Sequence, residues 1–367
     1  MADNALASAV TLLVVFVFIL FPLSFSRFNT AQTMREQYNL MDAYNTIYNQ
    51  VTEQRPVVRT NEQILIVDIS GMYDRRQLAQ MLKDVMDASP KAVGLDVTFY
   101  ERKDSLGDRI LDSLASLPNV VSPCLLQFEE DDMHFLAGNV SFYVDSLSQP
   151  NLGFVNVELT GATQVCRTFC PRMYCSGMPM DNFAVLVAKG ASENACRRLY
   201  DRRNEREYIN YDRTGFTDIS GLYVKECRDM IKDKIVLIGD KQDAADWFVT
   251  PMEPRQPGVE IHAHVIDTVI NEKYIDVMSE AGAWMLAYIM VFLFIPFNAL
   301  LKRNAWTALF IPVFQTLLIL VCVFVGYWIF VSFGYYVRVV YAMLALGVME
   351  VGSGLYWKFK GLILKRN

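Results

Sequence analysis

Four long apolar runs are the feature that most restricts what this chain can fold into. The first is LASAVTLLVVFVFILFPLSF, at 6–25, and three more lie near the C-terminus at 281–301, 305–331 and 335–357. At a rise of 1.5 Å per residue, about 20 apolar residues in a helix span the roughly 30 Å hydrocarbon core of a bilayer. The sequence therefore predicts four transmembrane helices, one N-terminal and three C-terminal.

A cleaved signal peptide is the alternative interpretation of the first run. Signal peptides carry a basic segment before the apolar run and a small-x-small cleavage site after it. No Lys or Arg precedes this run, and no such site follows it. A permanent transmembrane helix is the better prediction.

Basic residues near the C-terminal runs predict the orientation of the chain. Positive side chains mark the cytoplasmic side of a membrane, and they are Lys302, Arg303, Lys358, Lys360, Lys365 and Arg366. With four helices, both termini are then cytoplasmic in a bacterial inner membrane and the middle of the chain is periplasmic. The predicted parts are a transmembrane helix at 1–26, an extracytoplasmic sensory domain at 27–280, transmembrane helices 2 to 4 at 281–357, and a cytoplasmic tail at 358–367.

Charge and cysteine content restrict the partners and the chemistry. The formal net charge is −6 and no basic patch is present, so nucleic-acid binding is not expected, whereas membrane lipid is. Six of the seven cysteines fall in the external region, and Cys166, Cys170 and Cys175 lie close together in CRTFCPRMYC. Their spacing matches no Cys-x2-Cys zinc pair, so a local disulfide is favoured and no metal or cofactor is expected.

Short apolar runs alternate with helical patterns in the middle of the chain. QILIVDIS, KAVGLDVTF, NVVSPCLLQ, NLGFVNVEL, REYINYD and DKIVLIGD have the character of strands. DRRQLAQMLKDVMDASP and MDNFAVLVAKGASENACRRLYDRRN have helical periodicity, with Asp74 as a cap of the former. This alternation predicts an α/β fold with a mostly parallel sheet and covering helices.

Two carboxylates follow predicted strands directly. Asp68 and Asp96 lie at carboxyl ends, where open α/β sheets place their ligand crevices. One interpretation is an extracytoplasmic metal-dependent hydrolase that uses both residues. The other is capping or a polar crevice, which is favoured because no P-loop, Gly-x-Gly-x-x-Gly or nucleophile elbow accompanies them.

The stretch PGVEIHAHVIDTVI contains two of the three histidines. Its apolar spacing predicts a helix, on which His262 and His264 point about 200° apart and cannot share one metal. His262 is either a core histidine or the wall of a pocket that faces Asp240 and Asp246. His264 is expected on the polar surface.

Deep in the membrane segments lies one ionisable residue that is costly in lipid, Glu350. It shares a helix face with Gly347 and Gly354, where small residues permit close helix approach. Gln315 lies at a similar depth, so a hydrogen bond from it to Glu350 is one expectation, and an Arg or Lys of a partner protein is the other. We also expect Pro296 and Pro312 to kink their helices.

The order ILIVDIS, KAVGLDVTF, NLGFVNVEL, DKIVLIGD, ADWFVTP and PGVEIHAHVIDTVI, followed by three membrane helices, resembles the CHASE domain family, type 2 (cyclases/histidine kinases associated sensory extracellular). The resemblance implies a sensory domain in which His262, Asp240 and Asp246 form a structural or ligand-contacting cluster. Family members usually continue into a cytoplasmic output domain, and here only KFKGLILKRN follows the last run. We therefore expect a non-enzymatic sensor or scaffold that acts with a homodimer partner or with another membrane or cytoplasmic effector subunit.

Overall fold

The structure is a computed structural model that describes residues 1–20, 41–44, 59–129, 134–145, 149–160, 164–212 and 214–364. It divides into a helical unit, residues 1–44 and 275–367, and an α/β unit, residues 45–274. The end of the first apolar run and the predicted boundary at 26 and 27 lie outside the described residues.

The helices are α1 (Ala2–Val14), α2 (Arg75–Asp87), α3 (Ser105–Ala115), α4 (Phe183–Ala191), α5 (Glu193–Asp201), α6 (Arg228–Ile231), α7 (Gly258–Ile270), α8 (Glu280–Leu301), α9 (Ala305–Ala308), α10 (Ile311–Phe333) and α11 (Val340–Leu364). A π-helical segment, Val15–Leu20, follows α1, and short 3-10 turns occur at Gly221–Tyr223 and Ala244–Asp246.

The strands are β1 (Arg59–Asp68), β2 (Ala92–Leu95), β3 (Val120–Glu129), β4 (His134–Val140), β5 (Leu152–Phe154), β6 (Glu158–Thr160), β7 (Val165–Phe169), β8 (Arg172–Cys175), β9 (Met178–Asp181), β10 (Glu207–Tyr208), β11 (Thr214–Ser220), β12 (Ile235–Gly239), β13 (Trp247–Phe248), β14 (Gln256–Pro257), β15 (Asp276–Val277) and β16 (Tyr335–Tyr336).

The main sheet of the α/β unit has the order β11-β1-β12-β2-β3-β4-β8-β9, with β5 paired to β3. The five strands from β11 to β3 are mutually parallel, and β4 and β9 each run antiparallel to a neighbour. The prediction of a mostly parallel sheet is therefore confirmed. The last long strand in the chain, β12, is inserted between the first two.

Helices cover both faces of this sheet, because alternate strand residues are apolar on each side. On β1, Leu65 and Val67 pack with α2, α3 and α6, whereas Ile64 and Ile66 pack with α4, α5 and α7. Gly153 on β5 permits a close approach, since a Cβ atom there would lie 2.6 Å from the Cα of Phe183. The result is three layers with the sheet in the middle.

Side-chain caps set several helix starts. Asp74 accepts hydrogen bonds from the N–H groups of Arg76 and Gln77 at the start of α2, as predicted. The long pattern at 180–204, predicted as one helix, is instead two, because Ser192 ends α4 and caps α5 by accepting from Ala195 N–H. The stretch NLGFVNVEL likewise forms two short strands, β5 and β6, rather than one.

Three helices of the helical unit, α8, α10 and α11, are long and apolar enough to cross a membrane. The described N-terminal helix is shorter, so the described residues do not contain a fourth helix of that length. α1 nevertheless packs on α8 and α11 through small side chains such as Ala7, Ala287 and Ala345. A Cβ atom at Gly352 of α11 would lie 2.5 Å from the Cα of Thr11, so these two helices meet closely.

Two predicted details of the membrane segments differ in the structure. The run at 305–331 begins with the separate turn α9, and Pro312 lies in the first turn of α10, where its missing N–H leaves no intrahelical hydrogen bond unmade. Pro296 lies inside α8. α11 continues to Leu364, so the helix itself extends into the predicted cytoplasmic tail, and the bound of the membrane segment at 357 stays a prediction.

Candidate functional site

The carboxyl ends of three adjacent strands bring together the carboxylates that the sequence singled out. Asp68 ends β1, Asp96 follows β2, and Asp240 follows β12 between them. Backbone bonds hold this edge, since Ile69 N–H donates to the Gly239 carbonyl and Asp96 N–H donates to the Ile238 carbonyl. The edge is the position where open α/β sheets bind ligands.

Asp68 and Asp240 are joined through Ser70. The Ser70 hydroxyl lies 2.5 Å from Asp68 Oδ1 and 2.7 Å from Asp240 Oδ1. Asp68 Oδ1 also accepts from Ser70 N–H and Lys241 N–H, and Asp240 Oδ1 accepts from Gln242 N–H. These two carboxylates therefore hold the loops after β1 and β12 together, which favours the capping interpretation of Asp68.

Asp246 lies against the N-terminus of α7. A Cβ atom at Gly258 would be 2.5 Å from both carboxylate oxygens of Asp246, so only glycine leaves room for this contact. The Gly258 N–H opposes the rise of the pKa of this carboxyl, as expected where a helix start presents free donors and a positive dipole end. The N-terminus of α7 is thus next to the carboxylate of Asp246, which belongs to the turn Ala244–Asp246.

His262 lies one turn into α7 and is 5% exposed. Its Nε2 is 4.0 Å from Asp96 Oδ2, and its ring packs edge-on against Phe183 with 5.1 Å between centroids. Gly239 at the end of β12 lets α7 approach, since a Cβ atom there would lie 3.0 Å from Val259 and 3.6 Å from the Cβ of Asp96. The imidazole therefore faces Asp96 rather than Asp240.

Burial dominates the electrostatics of Asp96, Asp246 and His262. It raises the pKa of Asp96 to about 7. Burial, and then the nearby negative charge of Asp96, raise the pKa of Asp246 to about 7. Burial lowers the pKa of His262 to about 4, against the opposing pull of Asp246. Asp96 and Asp246 can therefore exchange protons near neutral pH. Burial disfavours the charged form of all three side chains.

The structure divides the five predicted ligand-binding residues into two neighbouring clusters. Asp68 and Asp240 meet through Ser70, and Asp96 and Asp246 meet around His262. Sequence reasoning did not single out Ser70 or Gly258. Their signals were present, since Asp-x-Ser follows a strand and Pro-Gly precedes a helix.

The expectation that His264 lies on the polar surface is wrong. It is 6% exposed, and its ring contacts Tyr211 and Phe216 with centroid separations of 5.1 and 4.9 Å. Burial lowers its pKa. The reason is that α7 is covered on nearly all sides, so a polar residue on the face away from His262 is still inside the protein.

A separate polar group fixes the C-terminal end of α7. Lys273 Nζ lies 2.8 Å from Asp267 Oδ2 and 2.9 Å from Asp212 Oδ2. Burial alone would lower the pKa of Lys273, but hydrogen bonds to the two carboxylates raise it. Asp267 is fully buried, so this ion pair is a structural support of the helix.

All seven cysteines lie within the described residues and are free thiols in the structure. Cys166 Sγ accepts from the Tyr211 hydroxyl, and Cys170 lies beside Glu158. Cys170 and Cys175 pack in one cluster with Cys124. A local disulfide stays a prediction.

One of the two expectations for the membrane residues, a hydrogen bond from Gln315 to Glu350, is not seen in the structure. Gln315 Nε2 donates to the Leu346 carbonyl. Within this chain, Glu350 Oε1 lies 3.1 Å from Lys302 Nζ and 3.5 Å from Asn298 Nδ2. An Arg or Lys of a partner protein stays a prediction. Among the described residues, no atom lies within 4 Å of a Cβ added at Gly347 or Gly354, so these two positions are open there.

One comparison with known proteins gave a match. The family model for the CHASE2 domain matches residues 10–297, which include the whole α/β unit and most of α8. No curated protein and no solved structure is significantly similar to the chain. The match covers more than half of the chain, and the CHASE2 domain is a sensory extracellular domain. The chain therefore belongs to the CHASE2 domain family.

Proposed function

We propose that this protein is a non-enzymatic sensor or scaffold of the bacterial inner membrane. Its α/β unit lies outside the cytoplasm and binds a ligand or partner, and its transmembrane helices couple that event to separate effector proteins. The family assignment supports the sensory role, and three apolar helices of sufficient length support the membrane location.

The observation that carries the proposal is the cluster of polar side chains at the carboxyl edge of the sheet. Asp96 and Asp246 are partly exposed there, and His262 forms the buried wall behind them. Polar groups in this position are typical of ligand sites in open α/β sheets. Among the described residues, no three His, Cys, Asp or Glu side chains are placed to hold a metal ion, which favours binding over metal-dependent hydrolysis.

Contacts inside the helical unit support four spans with both termini on one side. Asp3, at the start of α1, lies 2.5 Å from Lys360 Nζ and 2.6 Å from the Tyr356 hydroxyl. The beginning of α1 is thus next to the end of α11. Lys302, at the end of α8, belongs to the basic group that the positive-inside rule assigns to the cytoplasm.

Open apolar surface on the helices supports a partner in the membrane. On α11, Gly347 and Gly354 lie on a face that no described atom covers. Small residues on an open face permit a second helix to approach closely. We infer that α11 contacts either a second copy of this chain or an effector subunit.

Cysteine crosslinking in membranes tests this proposal. Gly354→Cys is expected to give an intermolecular crosslink, whereas Phe324→Cys, at a position of α10 that is 67% exposed, is the matched lipid-facing control. If the sheet edge is coupled to the helices, Asp246→Asn changes the crosslink yield at Gly354→Cys, and the exposed control Asp87→Asn does not. Uncrosslinked monomer in every variant would contradict the proposal.

A further inference from the structure

We propose that Asp96, Asp246 and His262, here called the edge triad, form a proton-binding site whose protonation repositions the segment 240–257. The proton concentration outside the membrane would then be an input of the sensor. This inference rests on the proposed function for its output, but proton binding and segment movement can be measured without it.

Three different elements supply the edge triad, so its members are held together only by tertiary structure. Asp96 follows β2, Asp246 ends a three-residue turn, and His262 belongs to α7. The 4.0 Å between His262 Nε2 and Asp96 Oδ2 is longer than a hydrogen bond, so no direct bond fixes a proton on one partner. Asp96 directly follows a strand of the sheet and His262 lies in a 13-residue helix, whereas the turn that carries Asp246 has three residues, so we assign the movement to this turn.

The charges around the edge triad do not neutralise its two carboxylates. The charged side chains on the neighbouring elements are Asp68 from β1, Asp240 and Lys241 after β12, Asp243 from the turn and Glu260 from α7. On the side of α4, His262 packs against the apolar ring of Phe183. Lys241 is already engaged, since its Nζ lies 2.9 Å from Glu260 and 3.2 Å from Asp218. An added proton is therefore the available means of removing the repulsion between Asp96 and Asp246.

The titration range of the carboxyls fits this role. Burial raises the pKa of Asp96 to about 7, and burial together with Asp96 raises that of Asp246 to about 7. Burial keeps His262 neutral above about 4. Between mildly acidic and mildly alkaline pH, the carboxyls titrate while the imidazole does not, and the site changes from neutral to negative.

Deprotonation has a mechanical consequence at the turn. Two ionised carboxylates that are partly removed from water repel each other, and we expect Asp246, on the short turn, to move towards water. Trp247 follows it directly, pairs with Pro257 in a two-stranded ribbon, and lies under the Arg255 guanidinium at 4.5 Å. Movement of Asp246 must therefore change the surroundings of the Trp247 ring.

Trp247 is the only tryptophan in residues 45–274, so it reports on this site. The full chain in lipid nanodiscs, with the four other tryptophans changed to phenylalanine, is titrated from pH 5 to pH 9 by fluorescence. We expect a reversible transition centred near pH 7. Asp246→Asn should abolish this transition. Asp96→Asn should move the midpoint of the transition at least tenfold in proton concentration, which is one pH unit, to lower pH. The control Asp87→Asn should leave the transition unchanged.

Two results would overturn the proposal. One is a flat Trp247 signal from pH 5 to pH 9 in the parent chain, with circular dichroism showing that it is folded. The other is an unchanged transition in a folded Asp96→Asn, Asp246→Asn double variant. A normal transition without any pH effect on the Gly354→Cys crosslink would instead refute the coupling to the membrane and leave proton binding intact.

Discussion

Replacing Asp96 by asparagine is expected to stabilise the α/β unit at alkaline pH. Asp96 is 14% exposed at the side chain, and burial raises its pKa from 3.8 to about 7. A carboxyl whose pKa is raised by folding contributes its stability fully below pH 3.8 and loses it as the pH rises through about 7. This rise of the pKa corresponds to a loss of at most about 4 kcal/mol in the free energy of unfolding above pH 7.

Asparagine keeps the shape of the side chain but has no charge to bury, so the variant should not show this loss. The assay is urea unfolding of the full chain in nanodiscs, followed by Trp247 fluorescence at pH 5 and pH 8.5. The free energy of unfolding of the parent is expected to fall more between these pH values than that of Asp96→Asn, and Asp87→Asn should behave as the parent. Equal pH dependence in the parent and Asp96→Asn would refute the reasoning.

Three further predictions concern the support of the site. Asp74→Ala removes the cap of α2 and should cost about 1 kcal/mol in urea unfolding, whereas Asp74→Ser should restore most of it. Gly153→Ala places a Cβ atom 2.6 Å from the backbone of Phe183 and should destabilise the unit by about 1 to 3 kcal/mol, measured in the same way. Lys273→Met leaves the buried Asp267 unpaired and should cost about 3 to 5 kcal/mol, with partial recovery when Asp267→Asn is added; no recovery would contradict the ion-pair argument.

Much of the α/β unit could be predicted, because its strands are continuous apolar runs and its helices have clear periodicity. The division at Ser192 was missed, since the apolar pattern continues across a residue that can either extend a helix or cap one. Strand order could not be predicted at all. The insertion of β12 between β1 and β2 depends on long-range packing that leaves no local pattern.

That strand order also explains which parts of the site were predicted. Asp68, Asp96 and Asp240 were expected at carboxyl ends, and they lie there. The nearest described carboxylate to His262 Nε2 is that of Asp96, at 4.0 Å, while α7 approaches β12 through Val259 at Gly239. The apolar periodicity of a sequence shows which face of a helix is buried, but not which strand that face packs on. The contact between His262 and Asp96 could therefore not be derived from residue spacing.

The membrane pairing shows a similar limit. Glu350 was recognised as a residue that needs a partner, but Lys302 was considered only as a marker of orientation. The depth of Glu350 in the membrane was predicted by counting residues from the ends of the apolar runs, which assumes that the helices begin at the same depth and have the same length. That count compared Glu350 with Gln315 of α10 and not with the end of α8, where Asn298 and Lys302 lie.

The location of the α/β unit tests the account most directly. In a Cys227→Ser background, Tyr73→Cys places a thiol at a position of the α/β unit that is 87% exposed, and Leu362→Cys places one at a position near the end of α11 that is 65% exposed. A membrane-impermeant maleimide is applied to intact inner membranes from the outer, periplasmic side. It should label Tyr73→Cys at once and Leu362→Cys only after permeabilisation. Labelling of Tyr73→Cys only after permeabilisation would place the unit in the cytoplasm and contradict the account.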